Sequence, residues 1–359
     1  MTPHWACIMA GGLGKRFWPL SRRTRPKHLI PVVGFETLLR QTAERLAHLV
    51  GWEHLMVVTT AGQAELVRAE LPEVSPPHVI AEPSGRNTAA CVGLALRWLH
   101  ARGEADSFVG FFPSDHVVRD LPGFGLCLRK GWDIAGSGRL VAFGIRPTSA
   151  ETGYGYIRAG QPLGSSSSPP AFSVVSFREK PDRARAEEWI TSGEYFWNSG
   201  MFVARVKVMW QELARHLPGT ARTILSLGDV LTDEVLQQRH AVYASLPSVS
   251  LDEGVMEKSE RIAVVESAFG WDDVGSWEAA SQYWPEGEDH NRVLGRSVAL
   301  VDCKGCRVKA EGLLVALVGM EDVVVVQTSD AILVCHRTRV QDVKALVEGL
   351  ENRGAEQYL

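Results

Sequence analysis

The sequence predicts an α/β protein: a mostly parallel sheet flanked by helices, followed by a small all-β domain. Three observations lead there. Short apolar runs alternate with stretches of helical periodicity through roughly the first 280 residues, the pattern that right-handed β-α-β crossovers leave. From about residue 285 the helical pattern gives way to short apolar runs at roughly 8 to 12 residue spacing. A glycine-rich segment follows the first apolar run directly, at the kind of strand end where ligands sit in such sheets.

The elements follow in order. Trp5-Ala6-Cys7-Ile8-Met9 is a buried strand bounded by glycine. Residues 36–49 carry Leu38, Leu39, Ala43, Leu46 and Ala47 at helical spacing. Leu55-Met56-Val57-Val58-Thr59 is a second strand, 61–71 a second helix, and His78-Val79-Ile80-Ala81 a third strand. A helix over 88–99 has Asn87 or Thr88 available as its cap. Phe108-Val109-Gly110-Phe111-Phe112 reads as a central strand and Leu140-Val141-Ala142-Phe143-Gly144-Ile145 as another. The strand at Val174-Val175-Ser176-Phe177 is stopped by Pro181, and 206–217 and 221–231 read as peripheral helices. Gly164-Ser165-Ser166-Ser167-Ser168-Pro169-Pro170 is a flexible surface loop by composition. In the tail, strands are expected over 297–301, 306–309, 313–318, 323–327 and 331–334, then a helix over 341–350. The domains expected are therefore 1–284 and 285–359.

Composition narrows the function. With 359 residues, 45% hydrophobic and 22% charged, the chain has the make-up of a globular protein. A formal charge of -4 argues against a nucleic-acid surface, which needs a basic face. No run approaches the roughly 20 apolar residues of a membrane span, and the N-terminus lacks a signal-peptide pattern, so a cytoplasmic protein is expected. Six cysteines are too sparse for a disulfide framework. Cys303-Lys304-Gly305-Cys306, with Cys335-His336 further on, reads either as a turn between strands or as part of a zinc site.

The chemistry centres on Met9-Ala10-Gly11-Gly12-Leu13-Gly14-Lys15-Arg16, with Arg25-Pro26-Lys27 shortly after. Glycines let the backbone turn tightly and aim amide N–H groups at an anion. Arg16 offers a planar fork for phosphate oxygens and Lys27 a compact charge. The segment lacks the third glycine of a dinucleotide fingerprint, and the spacing and hydroxyl of a Walker loop. Asp115, in Pro113-Ser114-Asp115-His116, is either a cap or turn residue or one half of a carboxylate pair with Asp273 or Asp272. Asn198, before Ser199-Gly200, is either a turn residue or a partner for a hydroxyl.

The run A-G-G-L-G-K-R-F-W-P-L-S-R, with P-K after it, resembles the signature of sugar nucleotidyltransferases, in particular the mannose-1-phosphate guanylyltransferases. The likeness continues in family order through Glu82-Pro83-Ser84-Gly85-Arg86-Asn87-Thr88, Phe112-Pro113-Ser114-Asp115-His116, Glu151-Thr152-Gly153-Tyr154-Gly155-Tyr156-Ile157, Phe177-Arg178-Glu179-Lys180-Pro181, Trp197-Asn198-Ser199-Gly200-Met201-Phe202 and Trp271-Asp272-Asp273-Val274-Gly275-Ser276-Trp277. It implies a Rossmann-like catalytic domain of the nucleotide-diphospho-sugar transferase fold over 1–284 and a tail resembling a left-handed β-helix. The longer bifunctional members carry a cupin-type isomerase domain; this sequence stops before it, which implies the monofunctional short form.

The implied reaction turns GTP and α-D-mannose 1-phosphate into GDP-mannose and diphosphate, with Mg²⁺ as cofactor. The resemblance places nucleotide contacts at Ala10, Gly11, Gly12, Gly14, Arg16, Lys27, Glu82, Gly85, Asn87, Thr88, Ser114 and Asp115. It places sugar-phosphate contacts at Gly153, Glu179, Lys180 and Asn198, and metal ligands at Asp115 and Asp273, Val274-Gly275 selecting Asp273 over Asp272. It assigns the catalysis to Arg16, Lys27, Asp115 and Asp273. His28 stands where Gln commonly follows Pro-Lys, and Glu253-Gly254 replaces a usual Tyr-Ala. Transfer to another sugar 1-phosphate or from another nucleotide, a non-catalytic nucleotide-sugar-binding protein, and a nicotinamide dehydrogenase are the rival readings. Oligomeric state is left open, a homodimer being one option.

Overall fold

The computed structural model describes residues 3–164 and 169–359; residues 165–168 of the serine-rich loop lie outside the described residues. The chain divides into two compact units. The first joins the residues up to Gly11 with Thr42–Asp272, and the second joins Gly12–Gln41 with Asp273–Leu359. The cut expected near residue 284 thus falls inside the second unit, which also contains most of the glycine-rich loop.

The first unit is built on a nine-stranded sheet. Its strands are β1 (His4–Ala10), β2 (Leu55–Thr60), β3 (Val79–Glu82), β4 (Phe108–Pro113), β6 (Leu140–Ile145), β7 (Tyr156–Pro162), β8 (Ala171–Arg178), β9 (Tyr195–Arg205) and β10 (Ile262–Ser267), while β5 (Val117–Val118) pairs separately with β11 (Trp271–Asp272). The order is β3-β2-β1-β4-β9-β6-β10-β8-β7. Parallel pairing of β1 with β2 and β4, β2 with β3, and β6 with β10, and antiparallel pairing elsewhere, leaves seven strands running one way with β8 and β9 reversed. The sheet is therefore largely parallel in direction, as expected, but β9 is inserted against the grain at its centre.

Helix α1 (Leu38–Val50) spans the Gln41–Thr42 crossing between units. The others in this unit are α2 (Ala64–Glu70), α3 (Asn87–His100), α4 (Leu121–Ala135), α5 (Arg183–Ser192), α6 (Val206–His216), α7 (Pro218–Ser226), α8 (Asp233–Gln238) and α9 (His240–Ala244). Helix α3 is buried almost all round, which its low polarity permits, and its Leu94, Ala95 and Leu99 join Met56, Val58 and Ile80 from the sheet in one core with Leu213 and Ile224. Burial on both faces explains why β1, β2 and β4 read as continuous apolar runs rather than as alternating ones.

In the second unit the tail forms a coil of short strands. They are β12 (Arg292–Leu294), β13 (Val298–Val301), β14 (Arg307–Ala310), β15 (Val315–Val318), β16 (Val323–Gln327) and β17 (Ile332–His336). Strands β12, β14 and β16 pair in parallel in one sheet and β13 and β15 in another, so successive strands alternate between sheets as in a β-helix. Antiparallel β17 closes the stack. Cys303, Cys306, Val308, Val323 and Val325 fill the interior. The C-x-x-C pair is thus core, and among the described residues no three His, Cys, Asp or Glu side chains gather as a metal cluster. Helices α10 (Trp277–Ser281) and α11 (Val343–Asn352) complete this unit. No helix among the described residues is long and apolar enough to cross a membrane.

Candidate active site

In the second unit the glycine-rich loop leads through Gly14, at φ 70°, into a 3-10 turn at Lys15–Phe17, with Phe17 N–H donating to Gly14 carbonyl at 2.9 Å. A Cβ on Gly14 would overlap Lys27 Cβ, so both the backbone conformation and the close approach require glycine. Lys27 N–H donates to Leu13 carbonyl at 3.2 Å, and Ser21 Oγ donates to the same carbonyl at 2.5 Å. Lys27 itself is buried, over the Phe17 ring, and its Nζ donates to Asp273 carbonyl at 2.8 Å. Arg16 is exposed on the turn, as are Gly11 and Gly12.

Asp273 enters a tight turn. Val274 has φ 45°, a strained value for a β-branched residue, and a Cβ on Gly275 would stand 3.2 Å from Asp273 Oδ2. Ser276 Oγ then caps α10, and Trp277 is fixed by donating to Trp18 carbonyl at 3.0 Å and by packing edge-on to Phe17 at 4.9 Å. Arg16, Lys27 and Asp273 therefore share one unit.

The loop is also fastened to the end of the chain. Lys15 Nζ lies 2.7 and 2.8 Å from the two carboxylate oxygens of Glu351 on α11, and Trp18 Nε1 donates to Tyr358 carbonyl at 2.8 Å. No local sequence pattern signals either contact.

In the first unit, β1 delivers Ala10 and Gly11 beside Glu82 at the end of β3; a Cβ on Gly11 would stand 3.2 Å from Glu82 Oε1. Glu82 is buried, Tyr243 OH donates to its Oε2 at 2.6 Å, and burial pushes its carboxyl up to about 7. Gly85 and Asn87 are exposed; Asn87 has φ 63°, and its Oδ1 accepts from Thr88 N–H at 2.8 Å. Thr88 Oγ1 accepts from Leu251 N–H at 2.8 Å, so its hydroxyl ties down a distant segment instead of capping α3.

At the end of β4, Ser114 is buried with its N–H on Met9 carbonyl at 3.2 Å. Asp115 is partly exposed, with His116 Nε2 3.9 Å from its Oδ1, and Trp271 Nε1 donates to His116 Nδ1 at 3.1 Å. Arg45 of α1, which sequence reasoning did not single out, is buried close enough to Asp115 to feel its charge. Burial pulls that guanidinium down to about 9, with Asp115 opposing.

A third cluster forms around β9. Asn198 N–H donates to Gly155 carbonyl at 2.8 Å, and its Nδ2 donates to Asp252 Oδ1 at 2.6 Å and Glu179 Oε1 at 3.3 Å. Glu179 N–H donates to Glu257 Oε1 at 2.8 Å, and Lys180, at φ 45°, donates its N–H to Tyr154 carbonyl at 3.2 Å. Burial, then the Asp252 charge, pushes Glu179 up to about 7, and burial also raises Asp252. Glu179, Lys180 and Asn198 are thus brought together, joined by Asp252 and Glu257 from the segment that carries the Glu253-Gly254 departure. Gly153 is exposed with nothing within 4 Å of a Cβ there; the glycine against the cluster is Gly155, where a Cβ would overlap Glu179 Oε1.

Of the departures, only Gly254 has a packing cause in the structure. His28 is buried in the 3-10 turn Lys27–Leu29. Gly254 is buried where a Cβ would stand 2.7 Å from Leu217 Cδ1, and Glu253 is exposed.

Comparison with known proteins identifies the family. Residues 5–286 match the family model described as nucleotidyl transferase, and 295–350 match a mannose-phosphate isomerase/GMP-like beta-helix domain. A mannose-1-phosphate guanylyltransferase of Klebsiella pneumoniae is 38% identical over 98% of this chain and 74% of its own length. The mannose-1-phosphate guanylyltransferase RfbM of Salmonella typhimurium is 37% identical over 98% of this chain and 73% of its own. A crystal structure from Thermus thermophilus, described as a mannose-1-phosphate geranyltransferase, superposes with TM-score 0.86 at 37% identity, covering 97% of this chain and 99% of that one. The chain belongs to the nucleotidyl transferase family and, within it, to the mannose-1-phosphate guanylyltransferases.

Proposed function

We propose that this chain transfers a guanylyl group from GTP to α-D-mannose 1-phosphate, releasing diphosphate and forming GDP-mannose. The observation that supports it most is the anchored Lys27: a buried ammonium held at 2.8 Å on Asp273 carbonyl, beneath a loop whose Gly14 admits no side chain. A fixed cation next to a glycine-rich turn suits a polyphosphate, because it is oriented before the ligand arrives.

A sugar phosphate with a second pKa near about 6 is already ionised at neutral pH, so the attacking oxygen needs no general base. The obstacle is repulsion between two anions, which positioning and neutralisation remove. In this reading Arg16, Lys27 and the amides of the Ala10 to Gly14 segment hold the departing diphosphate. Glu82, Gly85, Asn87, Thr88 and Ser114 surround the nucleoside. Glu179 and Asn198 exchange hydrogen bonds with sugar hydroxyls, Lys180 meets the incoming phosphate, and Gly153 lies on the loop that leads to them.

Asp115 and Asp273 offer hard carboxylate oxygens, the donor type that Mg²⁺ prefers, and as its ligands they leave the rest of the shell to phosphate and water. Held by these two carboxylates, Mg²⁺ would supply positive charge to neutralise the α-phosphate. A catalytic domain over 1–284, a homodimer and cytoplasmic residence belong to the same proposal.

The test is diphosphate release over a matrix of GTP, ATP, UTP and dTTP with mannose, glucose and fucose 1-phosphates. GTP with mannose 1-phosphate should give the highest kcat/KM. A tenfold higher value for any other pair would overturn the substrate assignment.

A further inference from the structure

A cavity of about 430 Å³ lies in the second unit, lined by none of the residues assigned above. Arg292, Lys304, Arg307 and Arg337 share its wall with His290, against the carboxylates of Glu286, Glu321 and Asp322. Two of those carboxylates are already engaged. Glu286 meets Arg292 at 2.5 Å and His290 at 2.9 Å, and Asp322 meets Arg337 at 3.0 Å.

Two cations remain under-used. Lys304 is exposed, and its ammonium has no hydrogen-bond or ion-pair partner among the described residues, which leaves it available to a ligand. Arg307 is 4% exposed, with Nη1 donating to His290 carbonyl at 2.8 Å, yet its buried Nε has no hydrogen-bond partner. The anion facing that Nε is Glu278 Oε2 at 3.5 Å, an oxygen that is itself without a hydrogen bond. That contact is an ion pair without a hydrogen bond, so the charge of Arg307 is only partly answered by its neighbours.

We propose that this cavity binds the phosphate group of a small anion, and that its occupancy is relayed to the Asp273 segment through Glu278. A phosphate brings several acceptor oxygens, which suit the Lys304 ammonium and the Arg307 guanidinium together. Glu278 also accepts from Arg337 Nη2 at 2.9 Å, so an anion arriving on these arginines competes with Glu278 for them. Glu278 lies on the short helix α10, whose Trp277 is bonded to Trp18 carbonyl and whose capping Ser276 follows Val274-Gly275. A change of partner at Glu278 therefore acts on the helix that immediately follows Asp273.

The experiment follows melting temperature during titration with inorganic phosphate and, separately, glucose 6-phosphate, each against chloride of equal ionic strength. It uses the natural chain, Lys304→Glu and Lys27→Ala. Expected is a saturable rise in the natural chain and in Lys27→Ala alike, with half-saturation at least tenfold higher in Lys304→Glu. The tighter of the two probes tells free phosphate from a phosphorylated metabolite. No saturable rise, or a rise lost in Lys27→Ala and kept in Lys304→Glu, would overturn the site. The relay requires turnover at saturating ligand to change at least twofold in the natural chain and not in Lys304→Glu; equal responses would overturn it.

Discussion

Lys27 Nζ donates to the main-chain carbonyl of Asp273 at 2.8 Å, joining two segments 246 positions apart. Because the acceptor is backbone, changing the Asp273 side chain leaves this anchor in place. Asp273→Asn should therefore keep its melting temperature within a few degrees while turnover falls on the order of 10²-fold, and Asp272→Asn should lose much less. Steady-state GDP-mannose formation beside a melting curve checks both.

Removing the ammonium is a different perturbation. Lys27→Ala should lower kcat on the order of 10²-fold or more, the usual loss for one preorganised donor. Lys27→Arg should rescue poorly, since a planar guanidinium has to fit the same buried space over Phe17. Near-normal turnover in Lys27→Ala would remove the main support for the polyphosphate reading.

Gly14→Ala tests the loop geometry. At φ 70°, with the new Cβ overlapping Lys27, the loop must shift by a fraction of an ångström or more. Displacement of that size should cost about 10- to 10²-fold in kcat/KM for GTP and leave the KM for mannose 1-phosphate much less affected. Initial rates with each substrate varied in turn separate the two.

Glu179 gives a pH signature. Burial and Asp252 push it up to about 7, against 4.5 for an unperturbed glutamate. Between those values the folded chain holds a proton that the unfolded chain has released, so stability should fall as pH rises from about 4.5 to about 7 and then level off. Glu179→Gln should make that decline shallower in urea melts at pH 5, 6, 7 and 8, and should raise the KM for mannose 1-phosphate. Glu82, also raised to about 7, contributes the same direction of slope and remains in the variant.

Glu351→Gln should change stability little, because its bond to Lys15 is partly exposed and screened by water. If the clasp positions the loop, KM for GTP should nevertheless move severalfold, which titration of initial rates against GTP would show.

The sheet's first half was legible because β1, β2, β3 and β4 are unbroken apolar runs, each ended by glycine, proline or a polar cluster, with helical spacing between most of them. Helix α4 was not: Pro122, Gly123, Gly125 and Gly131 obscure its period, although Gly131 is small because Phe143 packs there. Around Asn198, the Ser199-Gly200 punctuation suggested a turn, yet β9 runs eleven residues through it. There Gly200 takes φ 70° as a local irregularity, and pairing with β4, β6 and β7 outweighs the turn propensity.

Of the candidate site, the residue types were legible and their supporting partners were not. Glu179 and Asn198 stand out by motif, whereas Asp252, Glu257 and Arg45 reach their positions through folding of distant segments, which no local pattern encodes. The same holds for Glu351 and Tyr358, whose bonds to Lys15 and Trp18 cross more than 330 positions.

That last pairing sets an order of events during synthesis. Residues 12–41 are synthesised before the groups that fix them, which belong to 273–359. The nascent loop must wait, unfinished, until that later segment has been made, so a product that ends before residue 273 carries Gly11 to Lys27 without the scaffold that gives them shape.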